Sequence, residues 1–289
     1  MNVVVTFNRN PSHYVRSVIY KRKGFIHTSS VFFKRKTLMF RLLGYLDLLL
    51  KFKFVHKNVN EIVLVKPYNI KLTKLLKPFC KKMSFDIDDA IWSSNWLGLQ
   101  LSKDLFSLAD FVYVDNEYLS SFIKTNFKKD CQVIYGYVPD MPKPPKINQK
   151  ANKLINIGWL GSKSTAYNLF SVLDALIEID NNKNFKLYFL GISEKDLAYV
   201  DFKNAEFIEN YNEESMKHYL VNVFNIGIFP MYDIENNWGR GFHKLRLYLS
   251  ANLKSVVSIT KYIDKEYLDN NEVVFTNNRS FSEALKKQL

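Results

Sequence analysis

Short apolar, β-rich runs alternate along the chain with longer stretches of helical spacing, and this alternation constrains the fold more than any other feature. The runs occupy residues 3–7, 62–65, 83–87, 111–114 and 132–135, then 154–157, 186–190, 205–208, 226–229, 255–258 and 272–275. Largely apolar runs without strict polar alternation suit strands buried on both faces. Between them, residues 165–179 and 213–223 repeat apolar side chains at helical intervals. Strands that alternate with helices imply parallel α/β units. Residues 280–289 read as a last helix, with Ser282 as its N-cap and Glu283 in its first turn.

The alternation is interrupted once. Pro139-Asp140-Met141-Pro142-Lys143-Pro144-Pro145-Lys146 can form neither a helix nor a central strand. It reads as a linker over 141–150 between a domain at 1–140 and a domain at 151–289. A chain of 289 residues has room for two such domains. The expected class is α/β, with two Rossmann-like domains facing a cleft.

Charge divides the chain in the same place. Residues 1–82 carry 18 Lys/Arg and only two acids, Asp47 and Glu61, a local net charge of +16 within a total of +13. Residues 141–289 hold 19 basic and 17 acidic residues and are nearly neutral. A lysine-rich composition alone would not leave the second half so balanced. A basic first domain attracts polyanions: nucleic acid, an anionic leaflet or phosphorylated substrates.

No uncharged apolar run approaches the ~18 residues of a membrane-spanning helix. The best candidate, 42–50, is short and contains Asp47. The first residues enter a strand directly and do not read as a secretory signal. Cys80 and Cys131 lack metal-ligand spacing and suit a reducing cytoplasm. The expected location is cytoplasmic, with the chain peripheral on the inner face of the membrane.

Three segments carry candidate chemistry. In Phe85-Asp86-Ile87-Asp88-Asp89-Ala90-Ile91-Trp92 an apolar strand ends in carboxylates, and α/β sheets bind ligands at strand C-termini. Asp88 and Asp89 could take a metal, a sugar hydroxyl or a cation, or could be a cap and a solvated acid beside a core Trp92. In Ile157-Gly158-Trp159-Leu160-Gly161-Ser162-Lys163-Ser164-Thr165 a strand meets a helix start through small residues, the arrangement that admits a phosphate. It is neither a Walker A loop nor a dinucleotide G-x-G-x-x-G, and turn-and-cap is its plainer reading. In the third, Trp238-Gly239-Arg240-Gly241-Phe242-His243-Lys244 follows a strand and opens a helix. Arg240 and Lys244, four apart, could share a face there and bind a diphosphate. Leu245, Tyr248 and Leu249 form the buried stripe of that helix.

Taken in order, these segments resemble the GT-B glycosyltransferases of the "glycosyl transferases group 1" family, over roughly residues 83–275. The residues that carry the likeness are 85–92, the strand–helix segment at 109–119, the loop at 157–165, Gly227-Ile228-Phe229-Pro230, and the region from Arg240 to Ala251. The resemblance implies a metal-independent transferase of bacterial surface-polysaccharide type. Its C-terminal domain would bind a nucleotide-diphosphate sugar, and its N-terminal domain a glycan or lipid-linked acceptor. Gly158, Gly161, Ser162, Ser164 and Tyr248 would lie at the donor. Arg240 and Lys244 would neutralise the departing diphosphate. His13 would act as a base or acceptor contact, and Asp88, Asp89, Trp92 and Arg16 would meet the acceptor. No cofactor is implied beyond the nucleotide sugar as co-substrate, and an anionic inner-membrane surface is the expected partner rather than nucleic acid.

The sequence departs from the family pattern. Two glutamates usual in the donor region are absent, their places falling at Gly239 or Arg240 and at Leu247 or Tyr248. The chain is also short at its C-terminus for the family. These departures keep a catalytically degenerate GT-B-like binding subunit as the alternative. A basic nucleic-acid-binding protein is a weaker one, because no reader motif is present.

Overall fold

The computed structural model describes residues 1–289 except 8–10, 35–36, 68, 94–96, 143–153, 198–199 and 289, and without the side chains of 11, 12 and 34. It divides into two compact units. One contains Met1–Tyr137 and Trp238–Gly241, the other Val138–Asn237 and Phe242–Leu289. The transfer of Trp238–Gly241 to the first unit has no signal in the sequence. Most of the expected linker, 143–150, lies outside the described residues. Val138 and Met141, at its border, pack on a core cluster of the second unit.

The first unit is a six-stranded parallel sheet of β1 (Asn2–Thr6), β2 (Ile26–Thr28), β3 (Val59–Val65), β4 (Cys80–Ile87), β5 (Phe111–Val114) and β6 (Cys131–Val133). Their spatial order is β2-β1-β3-β4-β5-β6. The principal helices are α1 (Pro11–Arg22), α2 (Leu38–Leu50), α3 (Ile70–Leu76), α4 (Gly98–Phe106) and α5 (Glu117–Phe127). The central strands are apolar because both faces are covered: Val3, Val4 and Val5, and Ile62 to Val65, are all fully buried. Asn116 caps α5 by accepting from Leu119 N–H at 2.8 Å.

In the second unit β7 (Ile155–Leu160), β8 (Phe185–Leu190), β9 (Ala205–Ile208), β10 (Ile226–Phe229), β11 (Lys254–Ser258) and β12 (Val273–Thr276) form another parallel sheet, ordered β12-β11-β10-β7-β8-β9. Its helices are α6 (Leu173–Asp180), α7 (Glu213–His218), α8 (Glu235–Trp238, the last residue of which belongs to the first unit), α9 (His243–Ser250), α10 (Lys265–Leu268) and α11 (Phe281–Lys286). Read from the other edge, this is the order in which dinucleotide-binding sheets reverse direction, with the switch point between β7 and β10.

Three local expectations change. The helix read at 165–179 is a 3₁₀ helix over Lys163–Val172 that passes into α6. The stretch at 213–223 is α7 followed by a π turn over Tyr219–Val223. Ser282 is not the cap of the last helix. Asn277 caps a 3₁₀ turn over Asn278–Ser280 by accepting from Ser280 N–H at 3.0 Å, and α11 continues from it with Ser282 buried inside.

Candidate functional site

In each sheet the C-terminal strand ends gather the candidate residues. In the first unit the sheet order reverses between β1 and β3, so a ligand crevice belongs beyond those ends. Lys66 follows β3 directly and has a left-handed backbone, φ +49°. Its ammonium lies 2.8 Å from Asp88 Oδ1 and 2.5 Å from Asp89 Oδ2, the two carboxylates that follow β4. Arg240 Nε stands 3.9 Å from Asp89 Oδ1. His13, on α1, is buried, and its Nδ1 has no hydrogen-bond partner. Burial, helped by the charge of Lys66, lowers its imidazole from 6.5 to about 4, so the ring is neutral at physiological pH.

The segment Trp238–Gly241 is held firmly in this unit. Asn116 Nδ2 donates to the Trp238 carbonyl at 3.1 Å, and the indole meets Tyr118 edge-on at 5.8 Å. Gly239 and Gly241 are required to be small. A Cβ on the first would press on Ala90, and a Cβ on the second, where φ is +47°, would strike the Asp115 carboxylate.

Behind these groups lies a buried ionic network. Arg16 forms a bidentate pair with Asp86 at 2.7 and 2.9 Å, reaches Asp115 at 2.9 Å, and donates to the Ile134 carbonyl. Tyr20 donates to Asp86 at 2.5 Å. Burial opposes the charge on Arg16, but Asp86 and then Asp115 outweigh it and raise the pKa. Arg16 is 1% exposed and is fully engaged in holding α1 to β4 and β5, so it presents nothing to an acceptor. Trp92 is likewise core: it stacks on Phe122 with ring centroids 4.2 Å apart.

In the second unit the β7–β10 ladder pairs only Ile157 with Ile226 and Gly158 with Gly227. Beyond them the strands are bridged by a side chain. Tyr248 OH accepts from Leu160 N–H at 2.9 Å and donates to the Ile228 carbonyl at 3.1 Å. The Tyr248 ring lies where a Cβ on Gly227 would be. Gly158, expected at the diphosphate, is small for the same kind of reason, since Phe224 fills the space beside it. Tyr248 is completely buried, so here it splits a sheet at its switch point rather than facing a ligand.

Gly161 and Ser162 emerge at that switch point. Ser162 N–H donates to Thr165 Oγ1 at 3.1 Å, and its hydroxyl lies 3.0 Å from that of Ser164. Lys244, in the first turn of α9, donates to Thr165 Oγ1 at 3.2 Å. Its ammonium sits 4.5 Å from the centre of the Trp159 ring, which fixes it against an apolar wall. Lys163, exposed, pairs instead with Glu209 at 2.9 Å and Asp196 at 3.5 Å. A positioned ammonium among hydroxyls at a strand–helix junction is chemistry for a phosphate-like oxyanion.

The structure therefore brings Asp88, Asp89 and Arg240 together, and separately Ser162, Ser164 and Lys244. Arg240 and Lys244 belong to different units. Lys66 and Thr165 complete the two clusters. Lys66 was not singled out in the sequence, where its one signal is its place directly after an apolar strand, and Thr165 stood there as one hydroxyl among several. Among the described residues no three His, Cys, Asp or Glu side chains gather as a metal site.

No protein-family model matches the chain, and no curated protein matches it in sequence. Solved structures do. Sucrose-phosphate synthase from Thermosynechococcus elongatus is similar at TM-score 0.65 and 10% identity, covering 91% of this chain and 73% of that one. A UDP-forming α,α-trehalose-phosphate synthase from Burkholderia xenovorans is similar at TM-score 0.62 and 11% identity, over 99% of this chain and 91% of that one. The fold is GT-B. A glycosyltransferase from Rickettsia africae shares it at TM-score 0.62 and 10% identity, over 99% and 87% of the two chains.

Proposed function

We propose that this chain is a glycosyltransferase that moves a sugar from a nucleotide-diphosphate sugar to a glycan or lipid-linked acceptor. The observation that carries the reading is Lys244, held 3.2 Å from Thr165 Oγ1 beside Ser162 and Ser164 at the switch point of a GT-B second unit. When the glycosidic bond breaks, negative charge grows on the departing diphosphate. A pre-positioned cation there stabilises the transition state more than the ground state. In the proposed reaction Lys244 fills the role that a divalent metal fills elsewhere. Neutral His13 and the Asp88–Asp89 pair serve the acceptor.

The acceptor belongs to bacterial surface-glycan synthesis on the cytoplasmic side. The +16 charge of residues 1–82 holds the protein on the anionic inner leaflet, where lipid-linked acceptors lie. The screen that tests the donor is thermal shift with UDP- and GDP-sugars, since a ligand of the native state raises its melting point. A rise with at least one donor is expected, and no shift with any of them overturns the reading.

A second reading is a binding subunit that has lost catalysis. It is favoured by Leu247 and Tyr248, both buried where the family has a carboxylate. Donor binding without hydrolysis or transfer would select it.

A further inference from the structure

Helix α2 is apolar on nearly all sides, yet only one side is covered. Gly44 and Leu48 face inward and are buried, and a Cβ on Gly44 would collide with the Phe33 ring. The opposite side is bare: Leu38 is 74% exposed, Met39 61%, Leu42 57% and Leu46 53%. The stripe continues into the π turn Lys51–Val55, where Phe54 and Val55 are exposed at 62% and 65%. A helix that is hydrophobic all round belongs in a core or a membrane, and an apolar face this continuous is rare on a free monomer.

We infer that the outer face of α2 and its π turn inserts into the surface of an anionic bilayer. Charge complementarity selects that occupant. Arg41, Lys53 and Lys57 stand exposed within and beside the stripe, and Lys53 lies 5.3 Å from the centre of the Phe54 ring. Asp47, the acid of this helix, is neutralised by Lys51 at 2.8 Å. A leucine face flanked by cations is the composition of a helix that lies in the interfacial plane. The 13 residues of α2 extend about 20 Å. No helix among the described residues is long and apolar enough to cross a membrane, so α2 lies on the bilayer and does not span it. The inference deepens the leaflet-bound reading: that reading needs only adsorption by charge, whereas this one needs leucines among acyl chains.

The test is co-sedimentation of the full chain with phosphatidylcholine vesicles containing about one-third phosphatidylglycerol. Leu42→Glu/Leu46→Glu is expected to weaken binding by about tenfold or more, because two exposed apolar contacts become charges. A separate Leu46→Trp chain is expected to gain fluorescence that brominated lipid quenches on vesicle binding. If the double variant binds like the parent and the new indole escapes quenching, the stripe does not insert and the inference is overturned. Binding that high salt abolishes, together with that result, leaves the charge-driven reading standing without it. Loss of a concentration-dependent dimer in the double variant, with no vesicle binding by the parent, would show that a second copy covers the stripe, which also overturns it.

Discussion

Lys244 and Thr165 meet across the mouth of the second sheet, ammonium to hydroxyl at 3.2 Å, one from the first turn of α9 and the other from the 3₁₀ helix that follows β7. The pair places a cation where the strand order reverses. Lys244→Ala is expected to lower turnover of the nucleotide sugar by roughly ten- to a thousand-fold, the range for one lost transition-state donor. Lys244→Arg should recover part of it. Hydrolysis of labelled donor measures both, and wild-type rates in Lys244→Ala would displace the donor site from this position.

His13 ties stability to pH. Its folded pKa, about 4, lies below the unfolded value of 6.5, so between those values the unfolded chain binds more protons. Stability from this group is therefore fully present above 6.5, declines as pH falls toward 4, and is flat below. The loss amounts to at most about 3 kcal/mol. Urea unfolding of the wild type and His13→Gln at several pH values should show a shallower slope across that window in the variant. Equal slopes would mean that the ring is not buried in its neutral form.

Asp86 and Arg16 are both almost wholly buried, and each is the other's main partner. Removing one leaves an uncompensated charge inside the first unit. Asp86→Ala should cost about 3–5 kcal/mol in denaturant unfolding. Nucleotide-sugar binding by protein that remains folded should be unchanged, because the network contains no residue of the second unit.

Tyr248→Phe tests the bridge at the switch point. The change removes the hydroxyl between Leu160 N–H and the Ile228 carbonyl, and leaves a buried donor and acceptor unpaired. A loss of about 1–3 kcal/mol is expected. If donor affinity falls by more than tenfold while stability is unchanged, Tyr248 contacts the ligand as the family resemblance implied.

Much of the fold was legible in the residues because the sheets are parallel and covered on both faces, which leaves unbroken apolar runs such as Ile62 to Val65. β2 was not legible. Its three residues, Ile26–Thr28, form an edge strand with Ile26 exposed, so no apolar run marks it. Of the candidate site, the sequence marks the strand ends and leaves the roles of their residues open. Strand ends pointed to Asp88, Asp89 and Ser162, but spacing cannot tell a glycine that admits a phosphate from one that admits a ring. Gly158 and Gly227 are the second kind. Spacing likewise does not reveal that Gly239 and Gly241 let Trp238–Gly241 pack in the first unit, against Ala90 and Asp115, while Lys244 belongs to the second. The bare face of α2 was visible in sequence only as an apolar stretch too short to span a membrane.

The most direct measurement is a calorimetric titration of the full chain with UDP- and GDP-sugars, run in parallel on Lys244→Ala. Saturable binding of at least one donor is predicted, weakened at least about tenfold in the variant, as the loss of one charge-assisted contact requires. No heat of binding with any donor, or equal affinity in the two proteins, would contradict the account.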